Sequence, residues 1–173
     1  IELTTSDNNT IANNTIVTGG ATSDNTGIAL QTSGGSNVVH NNSITTAGLT
    51  TGNLGISLGS GQVGDIITNN TVYTGILGTS TNYGVVINGA DYEMIRGNVI
   101  VTNGTTANYA VFLIGADNNT LFNNSIRAGG STTTNRGIEL GGTVSRDNVI
   151  ADNVIVTNGS LNNVGISSDV AQN

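Results

Sequence analysis

The chain contains no Cys and no Lys, and aromatic side chains make up only 3% of its 173 residues. Without Cys there is neither a disulfide framework nor a thiolate metal site, and the redox compartment is left open. Hydrophobic residues still reach 36%, so a core has to be assembled from many small aliphatic side chains. Stacked repeats suit that composition, because each layer buries Ile or Val against its equivalent in the next. Charge is scarce too, at 9% against about a quarter in ordinary domains. Four Arg face eleven acids, for a net charge of -7. That balance argues against nucleic acid as a partner, since phosphates need cations to neutralise them, and against docking on anionic lipid. No apolar run approaches the roughly 20 residues of a membrane span. No signal peptide is visible and the chain begins at Ile1, so a processed protein or an excised fragment is expected.

What is present is Asn, Thr, Ser and Gly in a regular repeat. Six segments open at Asn9, Asn37, Asp65, Glu93, Asn119 and Asn148, spaced 28, 28, 28, 26 and 29 residues apart. They read NTIANNTIVTGG, NVVHNNSITTAG, DIITNNTVYTGI, EMIRGNVIVTNG, NTLFNNSIRAGG and NVIADNVIVTNG. A second apolar stretch follows in each, from Gly27, Gly55, Gly84, Ala110, Gly137 and Gly165. Ile1-Glu2-Leu3 matches that stretch, so residues 1–8 form a partial coil. Ile11, Val39, Ile67, Ile95, Leu121 and Ile150 make one apolar column, and Ile16, Ile44, Val72, Ile100, Ile126 and Ile155 another. Apolar residues at period two, many of them β-branched, are strand chemistry.

Asn marks the turns. Asn14, Asn42, Asn70, Asn98, Asn124 and Asn153 occupy one column, and Asn25, Asn53, Asn82, Asn108, Asn135 and Asn163 a second. Asn tolerates the left-handed backbone of a sharp bend, and stacked amides hydrogen-bond along a ladder. Both columns are therefore read as structural. Thr18, Thr46, Thr74, Thr102 and Thr157, broken by Ala128, are read as an inward, hydrogen-bonded Thr ladder. The expected fold is all-β: a single right-handed parallel β-helix (solenoid) over residues 1–173, with about six coils of ~28 residues and three short strands per coil.

The N-x-I-x-N-N-x-I-x-x-G pattern resembles that of the right-handed parallel β-helix proteins of the pectin-lyase-like superfamily. That resemblance implies the fold, and a range of activities that includes polysaccharide lyases and hydrolases, tailspikes, adhesins, copper-delivery proteins and surface-layer components. Lyases of this kind would use a basic residue with acid-held calcium, and hydrolases paired Asp residues in a groove. Here the Arg residues, Arg96, Arg127, Arg136 and Arg146, fall in different columns. His40 is the only His and Asp152 stands alone in an Asn-rich turn column, so no catalytic residue and no cofactor is assigned.

Three minor site readings remain. Asp7, Asp65, Asp91, Glu93, Asp117 and Asp147 gather near the repeat boundary, and calcium bridging Asp91, Asp117 and Asp147 is the one metal considered. Sequons occur at Asn8, Asn13, Asn41, Asn69, Asn103, Asn118, Asn123 and Asn158, which points to a glycosylated exterior. Tyr83 and Tyr109 share a column and are expected to cover the corner of two adjacent coils, with a small sugar or partner contact as the alternative. Neither end shows a cap, and Ile1–Asn8 shares its repeat phase with Ile166–Asn173. The expected function is a structural module of an extracellular or cell-surface assembly, such as a filament subunit, surface-layer piece or adhesin stalk, that associates with itself or with other surface proteins. A glycan-binding or glycan-cleaving module is the alternative.

Overall fold

The computed structural model describes residues 1–21, 23–75 and 81–169. They form the expected all-β solenoid of about six coils, each of about 28 residues and three strands. The phase match with Ile166–Asn173 rests partly on residues 170–173, which lie outside the described residues.

Every strand pairing is parallel and joins one coil to the next. The first wall holds Glu2–Thr4, Thr26–Gln31, Leu54–Leu58, Tyr83–Asn88, Tyr109–Ile114, Arg136–Leu140 and Val164–Ser168. The second holds Thr10–Ala12, Val38–His40, Ile66–Thr68, Met94–Arg96, Thr120–Phe122 and Val149–Ala151. The third holds Thr15–Thr18, Ser43–Thr46, Thr71–Thr74, Val99–Thr102, Ser125–Gly129 and Val154–Asn158. A small fourth sheet, Gly34–Gly35 with Gln62–Val63, was not legible from the repeat.

Register places like on like. Ile11 meets Val39, Ile67 meets Ile95, and Leu121 meets Ile150 on the second wall. Because side chains alternate along a strand, the first wall sends two aliphatic columns inward, those of Ile28 and of Leu30, and the other two walls one each. Ile28, Ile56, Val85, Val111 and Ile138 meet Val39, Ile67, Ile95, Ile44, Val72 and Ile100 in one continuous core. Each such side chain contributes roughly 2 kcal/mol by leaving water. Burial fades towards the outermost coils. Leu3, Ile16, Ile150 and Ile155 are only partly buried, and Ile166 is 49% exposed.

A left-handed column also follows the first wall at Thr5, Thr32, Gly61, Gly89, Gly115 and Gly142, but the residues that enter each of the three ladders follow one rule: a left-handed residue, then an inward side chain that bonds to the next coil. The left-handed residues are Asn8, Ser36, Gly64, Tyr92, Asn118 and Asp147 at the first corner. They are Asn13, Asn41, Asn69, Gly97, Asn123 and Asp152 at the second, and Asp24, Gly52, Thr81, Ala107, Thr134 and Asn162 at the third. Their φ values run from 51° to 76°. This corrects the sequence reading, which gave the left-handed bend to the ladder Asn. The ladder residue must turn its amide inward to reach the next coil, so the bend falls one residue earlier.

The two expected Asn ladders are continuous. Side-chain amide bonds of 2.9–3.1 Å link Asn14 through Asn42, Asn70, Asn98 and Asn124 to Asn153. Bonds of 2.8–3.1 Å link Asn25 through Asn53, Asn82, Asn108 and Asn135 to Asn163. The Thr column does not behave this way. The hydroxyls of Thr18, Thr46, Thr74 and Thr102 are buried and have no hydrogen-bond partner. Two Thr hydroxyls one coil apart do meet elsewhere, Thr5 with Thr32 at 3.0 Å, so it is the orientation of the hydroxyls in this inward column that leaves them unpaired.

Candidate functional site

The first corner carries a third ladder, built on the residues that open each repeat. Asn37 Oδ1 accepts the main-chain and side-chain N–H groups of Asn9, both at 3.0 Å. Asp65 Oδ1 accepts those of Asn37, at 2.7 and 3.0 Å. Glu93 Oε2 accepts the main-chain N–H of Asp65 at 2.7 Å. Asn119 Oδ1 then accepts from Glu93 N, and Asn148 Oδ1 from Asn119 N, at 2.7 and 2.9 Å.

Two adjacent rungs of this ladder are therefore carboxyl groups, and both are buried, Asp65 at 0% and Glu93 at 1% exposure. Asp65 Oδ2 and Glu93 Oε1 are buried without a hydrogen-bond partner. Burial lifts the Glu93 carboxyl to about 8, with the charges of Asp65 and Asp91 adding to the effect and the main-chain N–H groups of Asp65 and Gly64 opposing it. Burial also raises Asp65, against the lowering effect of the Asn37 N–H groups and with a further push from Asp7. Every charged group that acts on the pair is another acid.

The three residues considered for calcium divide between two columns. Asp91 Oδ1 accepts Asp117 N at 2.7 Å, and Asp117 Oδ1 accepts Arg146 N at 2.6 Å. These two carboxylates cap the backbone of the following coil. Asp147 stands one position on, in the left-handed column beside Asn118. Among the described residues no three acids or His side chains are grouped as metal ligands.

The sequon Asn residues lie outside the ladders. Asn8, Asn13, Asn41, Asn69, Asn118 and Asn123 are themselves the left-handed corner residues. In each of these sequons the middle residue is the inward ladder Asn and the Ser or Thr opens a strand. Asn103 sits just past the strand Val99–Thr102, and Asn158 ends its own strand. All eight are accessible at least in part. Asn13, Asn41 and Asn69 follow one another up one corner, a coil repeat of about 4.8 Å apart. Branched glycans on neighbouring positions would collide, which limits how many of these sites one chain carries at once.

Tyr83 and Tyr109 stack at 5.4 Å and 29°, and Phe112 packs against both rings at 5.4 and 5.3 Å. The Arg136 guanidinium lies 5.4 Å from the centre of the Tyr109 ring. Tyr83 and Tyr109 thus stack on one another while Phe112 meets Tyr109 edge to face, so the three rings form one small cluster across adjacent coils. Tyr73, Tyr92 and Phe122 are exposed but stand on the third wall, the first corner and the second wall respectively. His40 is half-buried on the outer side of the second wall.

The sequence reading missed two clefts. One, of about 240 Å³, lies over the second wall and corner and is lined by Thr68, Asn69, Arg96, Gly97, Phe122 and Asn123. Gly97 is the single glycine in a corner column otherwise filled by Asn and Asp. A Cβ added there would meet Asn69 Oδ1 at 2.6 Å, so the neighbouring amide leans into the space the glycine leaves. The other, of about 320 Å³, holds Arg127 beside Asn103 and Asn158. The break in the Asn column at Gly97 was the available signal for the first. Compared with family models, curated proteins and solved structures, the chain matches none.

Proposed function

We propose that the chain is a structural β-solenoid module of an extracellular or cell-surface assembly, related in architecture to the pectin-lyase-like β-helix proteins and used as a filament subunit, surface-layer piece or adhesin stalk. The observation that carries this reading is the unbroken run of two Asn ladders and one mixed ladder through the coils. Three hydrogen-bonded columns beside a continuous aliphatic core resist bending and torsion along the axis, which is what a stalk or fibre needs. Negative-stain electron microscopy of the purified protein, with calcium present, tests it. Ordered filaments, sheets or end-to-end strings support the assembly role. Dispersed single rods at every concentration count against it.

The two clefts favour a second reading, a module that binds acidic glycans. Each presents an Arg beside Asn amides, and the first adds an exposed Phe122 ring. A guanidinium pairs with a sugar carboxylate in two-point fashion, and the ring offers an apolar face to the sugar's C–H bonds. Binding of uronate-containing oligosaccharides by the intact chain, abolished by Arg96→Gln, would establish this reading. No retention of any acidic glycan would remove it.

A further inference from the structure

We infer that Asp65 and Glu93 keep a proton between them at neutral pH, so that two adjacent buried rungs of the ladder are not both charged, and that losing this proton as pH rises loosens the middle coils of the solenoid. The inference begins with donors and acceptors. A ladder Asn accepts through Oδ1 and donates through Nδ2. In this corner Asn37 Nδ2 donates to Ser6 O at 3.1 Å, Asn119 Nδ2 to Ala90 O at 3.1 Å, and Asn148 Nδ2 to Ala116 O at 2.8 Å. These three rungs thus aim an N–H at a carbonyl of the coil before them.

Asp65 and Glu93 have no N–H in the side chain. Ionised, each would set a bare oxygen where those rungs carry a donor, and would set it beside a second carboxylate. Burial without a partner is the most costly state for a charged oxygen. Asp65 Oδ1 and Glu93 Oε2 are engaged by main-chain N–H groups. Asp65 Oδ2 and Glu93 Oε1 are the unpartnered atoms, and these are where a proton sits. The nearby Asp7 and Asp91 oppose ionisation further, and the buried Gln62 adds no charge.

The direction with pH follows from linkage. The folded Glu93 holds its proton to about 8, whereas its ordinary value is 4.5. Below about 4.5 folded and unfolded chains are both protonated, and the contribution is complete. Between there and about 8 the unfolded chain gives up a proton that the fold retains, so the folding equilibrium constant falls by up to roughly tenfold per pH unit. Above about 8 the contribution is gone. Asp65 acts in the same direction.

Two measurements decide the matter. The carboxyl carbon of Glu93, followed by nuclear magnetic resonance in the intact labelled chain, is expected to titrate with a midpoint above 7. A midpoint of 7 or below overturns the inference without any variant. Urea unfolding between pH 5 and 9 is expected to show wild-type stability falling as pH rises, and a much flatter profile for the pair Asp65→Asn with Glu93→Gln. A wild-type profile that is flat, or one that the paired variant reproduces, overturns it equally. Neither readout depends on filaments or glycan binding.

Discussion

A single oxygen, Oδ1 of Asn98, takes both N–H groups that Asn70 presents to the following coil, the main-chain one at 2.8 Å and the side-chain one at 3.1 Å. The Asn98 amide nitrogen in turn serves Ile67 O, Arg96 O and Asn124 Oδ1 at 2.8, 3.0 and 3.0 Å. One side chain therefore holds three consecutive coils together. Its loss strands buried polar groups on both sides.

Asn98→Ala is expected to destabilise the chain by roughly 3 kcal/mol or more, because each buried group left unsatisfied costs about 1–3 kcal/mol. Asn14→Ala, in the partly buried first coil, is expected to cost distinctly less, since water reaches the freed groups. Urea denaturation of the two variants checks the ordering, and equal losses would contradict the ladder account.

At the third corner Ala107 holds φ 51°, a conformation for which Gly52 stands in the same column with φ 76°. A Cβ in the left-handed region costs roughly 1–2 kcal/mol, and glycine's extra freedom when unfolded returns part of that difference. Ala107→Gly is therefore expected to stabilise the protein by about 0.5–1 kcal/mol. A raised melting temperature is the readout.

Thr46, Thr74 and Thr102 bury hydroxyls that bond to nothing. Valine keeps the branched shape and removes the unsatisfied group. Thr74→Val is expected to stabilise the chain by about 1 kcal/mol. A hydrogen-bonded Thr ladder would instead make the same change destabilising, so the sign of the shift in melting temperature separates the two.

The repeat, its period-two strands and two of its three ladders were legible in the sequence because column membership is a matter of spacing alone. The third ladder was hidden by its own chemistry. Asp65 and Glu93 interrupt what is otherwise an Asn column at Asn9, Asn37, Asn119 and Asn148, and the acids drew attention as a candidate metal corner. Spacing also misplaced the left-handed bend by one residue. NN pairs such as Asn13-Asn14 do not reveal which Asn bends the backbone and which turns inward. The Thr column was correctly placed, but whether one hydroxyl meets the next, as Thr5 meets Thr32 and Thr46 does not meet Thr74, is a question of side-chain orientation that spacing does not report. The clefts beside Arg96 and Arg127 depend on side-chain direction around a corner, which no column reports.

On the outer side of the first wall, Arg136 bridges Glu139 and Asp169, the latter at 2.6 Å, while its guanidinium faces the Tyr109 ring. Glu139 is almost fully buried and also accepts from Ser167 Oγ. Burial raises its pKa, and the bonds from Ser167 and Arg136 hold it back. Removing the cation leaves a buried carboxylate with only the Ser167 hydroxyl to hold it and no counter-charge. Arg136→Ala is therefore expected to cost roughly 3 kcal/mol at neutral pH. The loss has a definite pH sign. Without Arg136 the folded Glu139 pKa rises further above its unfolded value, so the variant recovers stability as pH falls and Glu139 protonates. Replacing both partners, Arg136→Leu with Glu139→Leu, removes the charge and its counter-charge together and is expected to be nearly neutral. Urea unfolding at pH 7 and pH 4 on the single and paired variants checks all three statements. A single variant whose loss is as large at pH 4 as at pH 7 would show that Arg136 acts through packing on Tyr109 rather than through the Glu139 charge.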